Sequence, residues 1–401
     1  MTWVMPKLHV IALPHTIVSN EFSHCAFTGK VLRFSKMMRA YGWTVYEYSN
    51  EGSESEASKH VQVLSTAEFA ALSRRTSDSH FYTADINNQE LTETFYTRTQ
   101  ALLQEHTKKH DIVCHVFGPM RRFIPFAPEC FHVESGVGYT CHTGLVYRIF
   151  ESEIWKAWHA GRNHDAGGSN VHWVAPNYYD LAEWDVGPGG NSIVFLGRIQ
   201  ADKGLRTIVE IARRCPMERF ILCGQGDPTP WLTEPNIEYK PPVKGLERSK
   251  LLGSAKAVLC PTEFLEPFCG VNVEAQLCGT PVISTDFGAF VETIDHGVTG
   301  YRCHMLQDYV EAVHLAPMLD RSYIADRARA LYSLEAVGAR YDSIFNQISE
   351  QAREGWYSRV SFLRRSEARS PARRRRYCGS RARVAVSRRG RPRRQQVSKP
   401  E

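Results

Sequence analysis

Pro261-Thr-Glu-Phe-Leu-Glu-Pro-Phe-Cys-Gly-Val-Asn-Val-Glu-Ala-Gln-Leu-Cys-Gly-Thr-Pro-Val-Ile-Ser-Thr-Asp-Phe-Gly-Ala-Phe-Val-Glu292 reads as loop, helix, strand and second loop in succession. The apolar run Ala257 to Cys260 before it has the length of a buried strand, Val273 to Leu277 falls on a helix, and Pro281 to Ser284 forms the next strand. Glu266 sits in the loop and Glu274 eight residues on, about two helical turns away. A loop carboxylate and one on the helix that the loop opens can both face the carboxyl end of a parallel sheet, where open α/β folds bind ligands. Carboxylates accept hydrogen bonds, which suits hydroxyl-rich ligands. A solvated pair of glutamates is the plain alternative, and the flanking glycines, Phe268 and the strand after Gly279-Thr-Pro281 argue against it.

The same alternation extends outward on both sides. Upstream, Ser192 to Leu196 reads as a strand, Leu205 to Arg214 as a helix, Arg219 to Cys223 as a strand and Ser249 to Ala255 as a helix. Leu181 to Gly190, rich in proline and glycine, suits a linker. Before it lies an earlier series: strand Leu8 to Leu13, helix Lys30 to Ala40 with Val31, Phe34, Met37 and Met38 on one side, and strand Thr44 to Tyr48. A Ser/Glu-rich loop from Glu51 to Lys59, helix Glu90 to Lys109, strand Asp111 to Phe117, and strand Phe131 to Glu134 turning at Ser135-Gly-Val-Gly138 complete it. Short apolar runs joined by amphipathic helices describe an α/β chain of two tandem Rossmann-like, doubly wound domains. The expected boundaries are 1–180, a linker at 181–191, a second domain at 192–335, a helix at 336–357 and a tail at 358–401. Val337, Tyr341, Ile344, Phe345 and Ile348 share one face of that helix.

With 401 residues, 43% hydrophobic and 23% charged, the chain is too long for a small binding module and too apolar for general disorder. No run of about 18 apolar residues marks a membrane span, and the first residues lack a signal-peptide pattern, so a cytoplasmic protein is expected. The net charge of +6 conceals a division. From Arg359 onward, 15 arginines and Lys399 face only Glu367 and Glu401, a net of +14 that leaves −8 for the rest. This tail cannot bury enough apolar surface to order itself, and its charge would attract a polyanion such as nucleic acid; a solubilising extension is the alternative. The 11 cysteines show no Cys-x-x-Cys pair and read as reduced, mostly buried thiols. Neither Asp-x-Asp nor a His/Cys cluster with metal spacing occurs, so no metal and no resident cofactor is expected.

The segment around Glu266 and Glu274 resembles the GT-B glycosyltransferases, and within them the retaining GT4 family (glycosyltransferase group 1), whose hallmark is Glu-x7-Glu in this strand, loop and helix context. The resemblance runs over roughly residues 190–350. It implies a cleft between the two domains and a terminal helix crossing back to the first. The substrate it implies is a nucleotide diphosphate sugar, UDP- or GDP-linked, whose sugar passes to an acceptor hydroxyl. Glu266 would then touch the donor sugar, Glu274 the ribose, and the Phe287-Gly288-Ala289 loop would bring backbone amides to the sugar, with Phe268 and Gly270 beside it. Cys269 stands where the family usually has glycine.

In Phe195-Leu-Gly-Arg-Ile-Gln-Ala-Asp-Lys-Gly204, Arg198 and Lys203 follow a strand and precede a helix, a placement suited to a diphosphate. The resemblance makes them, with Gly197, the group that stabilises the leaving nucleoside diphosphate, in place of a metal. Leu222-Cys-Gly-Gln-Gly226 resembles the family's glycine turn, which adds Gly224 to the donor side.

In the first half, Val174-Ala-Pro-Asn-Tyr-Tyr-Asp180 resembles the family's Pro-Asn-x-x-Asp segment, and Thr28-Gly29 stands for its glycine-rich pair in the first loop. His132, Glu134 and Ser135 compete for a cleft-facing place. Glu134, ending a strand before a glycine turn, is the favoured catalytic candidate, with a structural carboxylate as the alternative. His15 and His24 follow the first strand and are further acceptor-side candidates. Hydroxymethylated DNA, protein and glycan remain open as acceptors. The competing readings are a catalytically decayed glycosyltransferase fold that binds nucleic acid, and a nucleotide-sugar epimerase.

Overall fold

The structure, a computed structural model, describes residues 5–23, 25–73, 88–117, 120–140, 144–163 and 169–354. Its first domain comprises β1 (Leu8–Ile11), α1 (Ala26–Ala40), β2 (Val45–Ser49), β3 (Lys59–Gln62), α2 (Thr66–Leu72), α3 (Gln89–His106), β4 (Ile112–His115), β5 (Phe131–Val137), β6 (Tyr147–Phe150), α4 (Glu153–Arg162) and β7 (His172–Val174). The second comprises β8 (Ser192–Leu196), α5 (Leu205–Arg214), β9 (Arg219–Cys223), β10 (Ile237–Lys240), α6 (Gly245–Gly253), β11 (Ala255–Cys260), α7 (Gly270–Leu277), β12 (Val282–Thr285), α8 (Phe290–Thr293), β13 (Gly300–Cys303), α9 (Leu306–Leu315) and α10 (Arg321–Tyr332). A last helix, α11, spans Leu334–Glu354.

Two parallel sheets result, one in the order β3-β2-β1-β4-β5-β6-β7 and one in the order β10-β9-β8-β11-β12-β13. In each, the order reverses direction beside the first strand of the domain, which places a crevice at the carboxyl ends of β1 and β8. Strands β1, β4, β8 and β11 are covered on both faces and consist of nearly continuous apolar residues, as parallel strands must. α1 buries Val31, Phe34, Met37 and Met38 against the first sheet and ends at Tyr41-Gly42, where Gly42 adopts φ +85° and Trp43 N–H donates to the Met38 carbonyl at 3.2 Å.

α11 returns to the first domain. Val337, Tyr341, Ile344, Phe345 and Ile348 are all buried in the core that holds Phe34, Met37 and Trp43. Trp43 Nε1 also donates to Asp342 at 2.9 Å. Each of these five apolar side chains contributes roughly 2 kcal/mol of burial, so the terminal helix ties the second domain back to the first. The segment between the sheets is fastened by Arg321, whose guanidinium donates to the carbonyls of Gly187, Gly253 and Ala255 and to Thr280 Oγ1 at 2.8–3.3 Å.

Several expected elements differ. The β5 strand continues through Ser135 and Gly136 to Val137, because Gly136 (φ +74°) absorbs a bulge that shifts the pairing with β6. Thr28-Gly29 lies inside α1 and not in a loop, since the helix starts four residues earlier than the apolar spacing suggests. α6 spans Gly245–Gly253, and Ala255 already belongs to β11. The short strands β3 and β10 carry polar residues on exposed positions, while β6, β7 and β13 place Arg148, His172 and Arg302 at buried or half-buried ones, and both patterns hide the strand period. Among the described residues nine cysteines are unpaired and mostly buried, and no helix is long and apolar enough to cross a membrane. The basic tail lies outside the described residues.

Candidate active site

A cavity of about 400 Å³ lies between the two sheets, with α1 and the ends of β5 and β6 on one wall and the loops after β8 and β11 on the other. On the second wall the chain folds as its local chemistry requires. β8 ends at Leu196, Gly197 N–H donates to the Cys223 carbonyl, and Ile199 N–H donates to the Gln225 carbonyl, so the loop carrying Arg198 is fastened to the loop after β9. A one-turn 3-10 helix, Ala201–Lys203, then hands over to α5 through Gly204. Gly204 is left-handed (φ +78°), and a Cβ there would overlap the Pro261 carbonyl. Lys203 is thereby held beside the β11 loop, and its Nζ donates to Glu266 Oε1 at 2.5 Å while lying 4.4 Å from the centre of the Phe264 ring.

Glu266 is buried, and its carbonyl accepts from Ala289 N–H at 3.0 Å. Gly288, at φ +66°, comes so near the Glu266 backbone that a Cβ would lie 2.9 Å from its nitrogen. The Phe287-Gly288-Ala289 loop therefore braces Glu266. None of the three lines the cavity, and the Ala289 amide is already engaged. Asn272, Gln276 and Thr293 form a buried network behind them that locks α8 to α7: Asn272 Nδ2 donates to Thr293 Oγ1 at 2.6 Å and Gln276 Nε2 to the Thr293 carbonyl at 3.0 Å. Phe268 and Gly270 line the cavity. Cys269 caps α7 in the left-handed region at φ +64°, a conformation that favours the glycine expected there. Its Sγ is 3.9 Å from that of Cys260, and this contact together with burial pushes the Cys269 thiol well up.

Glu274 points into the same cavity and is gripped by Arg248, a residue of α6 that the sequence offered no reason to single out. Arg248 Nε donates to Glu274 Oε2 at 2.7 Å, and its Nη2 donates to the same oxygen. Arg33 of the first domain and Tyr179, which packs in the core of the second, close this end: Arg33 pairs with Glu183 at 2.7 Å and lies over the Tyr179 ring at 5.8 Å. Although burial opposes it, the Glu183 hydrogen bond raises the Arg33 pKa. Arg198 is exposed at the cavity wall, and among the described residues no carboxylate pairs with it. Gly224 does not line the cavity. At φ +154° it packs against the Gly197 carbonyl, where any side chain would collide, so it supports the Arg198 loop from behind.

On the first domain the expected candidates fall away from the cavity. Glu134 is fully buried and does not line the cavity, with Arg148 Nε at 2.7 Å and the Tyr139 hydroxyl at 2.6 Å. His132 stacks on His115, with their ring nitrogens 2.9 Å apart, and burial lowers the pKa of both. His15 is buried 3.3 Å from Cys25 Sγ, and burial lowers its pKa to about 4. His24 lies outside the described residues. The groups that do reach the cavity here are Lys30 and Glu151, which form a buried ion pair.

Comparison with known proteins bears on the family and the fold. The profile of the family described as glycosyl transferases group 1 matches residues 190–315. Residues 190–315 are thus similar to the glycosyl transferases of group 1. Its fold is GT-B: the sucrose-phosphate synthase of Thermosynechococcus elongatus superposes with a TM-score of 0.64 at 14% identity, over 86% of this chain and 99% of that one. Anabaena HepE, solved in complex with UDP and glucose, does so with a TM-score of 0.59 at 13% identity, over 85% and 99%. In sequence, the chain is 28% identical over 179 residues to alpha-maltose-1-phosphate synthase of Mycobacterium tuberculosis, 40% of this chain and 43% of that enzyme. The chain thus spans less than half the length of that curated relative. Among the described residues no three His, Cys, Asp or Glu side chains gather as a metal site would require.

Proposed function

We propose that this chain is a retaining glycosyltransferase that moves a sugar from a nucleotide diphosphate sugar to an acceptor hydroxyl without a metal. The observation that carries the reading is the pairing of two carboxylates with two cations on one cavity, Lys203 with Glu266 and Arg248 with Glu274, beside Arg198, with which no carboxylate among the described residues pairs. Glu274 and Arg248 suit the ribose, Glu266 the sugar hydroxyls, and Arg198 with Lys203 the diphosphate. In the front-face reaction the bond from the sugar's anomeric carbon to the phosphate oxygen breaks while the acceptor oxygen bonds on the same face. The acceptor proton passes to the departing phosphate oxygen. Arg198 and Lys203 stabilise the charge that develops there, and preorganised donors of this kind are worth about 3 kcal/mol each. The UDP held by the structural neighbour HepE supports trying UDP-linked donors first.

The test is incubation with a panel of UDP- and GDP-sugars, with and without EDTA, monitored for release of the nucleoside diphosphate. Release from one donor, unchanged by EDTA, is expected. Inhibition by EDTA that magnesium or manganese reverses overturns the metal-free reaction, and silence with every donor alongside tight DNA binding favours a decayed fold.

A further inference from the structure

The wall opposite Glu266 holds a second ammonium–carboxylate pair, and the chain is shaped around it. Lys30, one turn into α1, places its ammonium against Glu151 Oε1 and donates to the Gly136 carbonyl at 3.1 Å. That carbonyl is turned toward Lys30 by the β5 bulge, which needs the positive φ of Gly136. Gly138 is needed for a different reason: a Cβ there would lie 2.6 Å from Glu151 Oε1 and overlap the rest of the carboxylate. Four residues from three separate segments therefore form one unit, in which two glycines make room for a carboxylate and its cation. Lys30, Gly138 and Glu151 all line the cavity. Among the described residues nothing donates to Glu151 Oε2.

The unit also sits next to the reacting end of the donor site. Ser152 Oγ donates to the Pro267 carbonyl at 2.7 Å, so Glu151-Ser152 and Glu266-Pro267 are neighbours across the cleft. Leu265 packs on the same cluster as Phe27, Phe150 and Trp155. A side chain of the first domain that faces the sugar pocket is placed to meet whatever attacks the sugar. A carboxylate with one oxygen committed to a lysine can accept a hydrogen bond from a hydroxyl on the other.

We propose that Glu151 binds the attacking hydroxyl of the acceptor, oriented by Lys30 and by the space at Gly138. This inference rests on the donor site proposed above. Glu151 holds the oxygen over the anomeric carbon by sharing the hydroxyl's single proton in a three-centre hydrogen bond with the donor phosphate oxygen; as the bond to the phosphate breaks that proton passes wholly to the phosphate, so Glu151 gains no proton. Water takes the acceptor's place in donor hydrolysis, which makes the role testable without the natural acceptor.

The experiment compares the full chain with E151Q, the double variant K30M/E151Q and G138A, measuring UDP-glucose hydrolysis and the Kd of UDP. E151Q and G138A are expected to lower kcat at least tenfold with KM and the UDP Kd within threefold. The double variant removes both charges and so relieves the unpaired lysine that E151Q leaves buried; its melting temperature should recover while kcat stays low. Recovery of kcat in the double variant would make the pair structural and overturn the proposal, as would an E151Q kcat within threefold of the parent. A parent that neither binds UDP nor releases it from UDP-glucose overturns the donor reading and this inference together.

Discussion

Arg198 and Lys203 are both cations of the proposed diphosphate site, yet they stand in different surroundings. Lys203 is the partner of a buried carboxylate, while Arg198 is exposed and unpaired among the described residues. Replacing either by alanine should lower donor turnover about a hundredfold, the loss expected for one donor to a developing charge. Only Lys203→Ala should also lower the melting temperature, because it leaves Glu266 buried without its cation. Thermal unfolding and nucleoside diphosphate release measured on the same two variants separate these effects. Cys269 offers a gain in place of a loss. A non-glycine residue at φ +64° costs about 1–2 kcal/mol, so Cys269→Gly should stabilise the fold by about 1 kcal/mol after the lost contact with Cys260, read as a raised urea midpoint.

At the level of elements, α4 and α8 meet across the cleft. The two oxygens of Glu292 accept from the backbone N–H groups of Glu153 and Ile154, at 2.9 and 2.7 Å, so a residue of the second domain caps a helix of the first. The open amides and dipole of a helix start favour a carboxylate there. Glu292→Ala should cost about 1 kcal/mol of this closure. Since 1.4 kcal/mol is tenfold in an equilibrium, the KM for the donor should rise severalfold with kcat little changed. Faster hydrogen exchange at the amides of residues 153 and 154 is the direct measurement. The buried Asn272, Gln276 and Thr293 network makes α8 a rigid base for this contact.

For the whole molecule, the charge division and the crossing helix belong to different levels. α11 joins the core of the first domain and cannot be removed without exposing Phe345 and its neighbours. The +14 segment comes after it, and none of the proposed donor ligands lies beyond Glu292. A chain ending at Tyr357 should therefore keep donor hydrolysis and lose affinity for duplex DNA together with much of its salt dependence, because the slope of log K against log salt tracks the phosphates neutralised. An unchanged slope would place the DNA contact elsewhere.

What the sequence alone determined was local. The strand, loop and helix around Glu266, Cys269 and Glu274 lie within one contiguous segment, so their spacing already carries their geometry, and the alternating apolar runs carry the class of fold. The face of α11 was legible for the same reason, since Val337 to Ile348 keep a helical period. What only the tertiary structure decided was which distant residues share the cavity. Arg248 reaches Glu274 from another helix, Lys30 and Glu151 are 121 residues apart in the chain, and Glu292 finds α4 across the cleft. Glu134 and His132, placed by analogy near the cleft, turned inward because neighbouring strands supplied Arg148 and His115 as partners. Side chains in parallel strands alternate between two faces, and one bulge at Gly136 re-aims the residues after it. Contacts of that kind depend on the packing of segments remote in sequence, which no local spacing encodes.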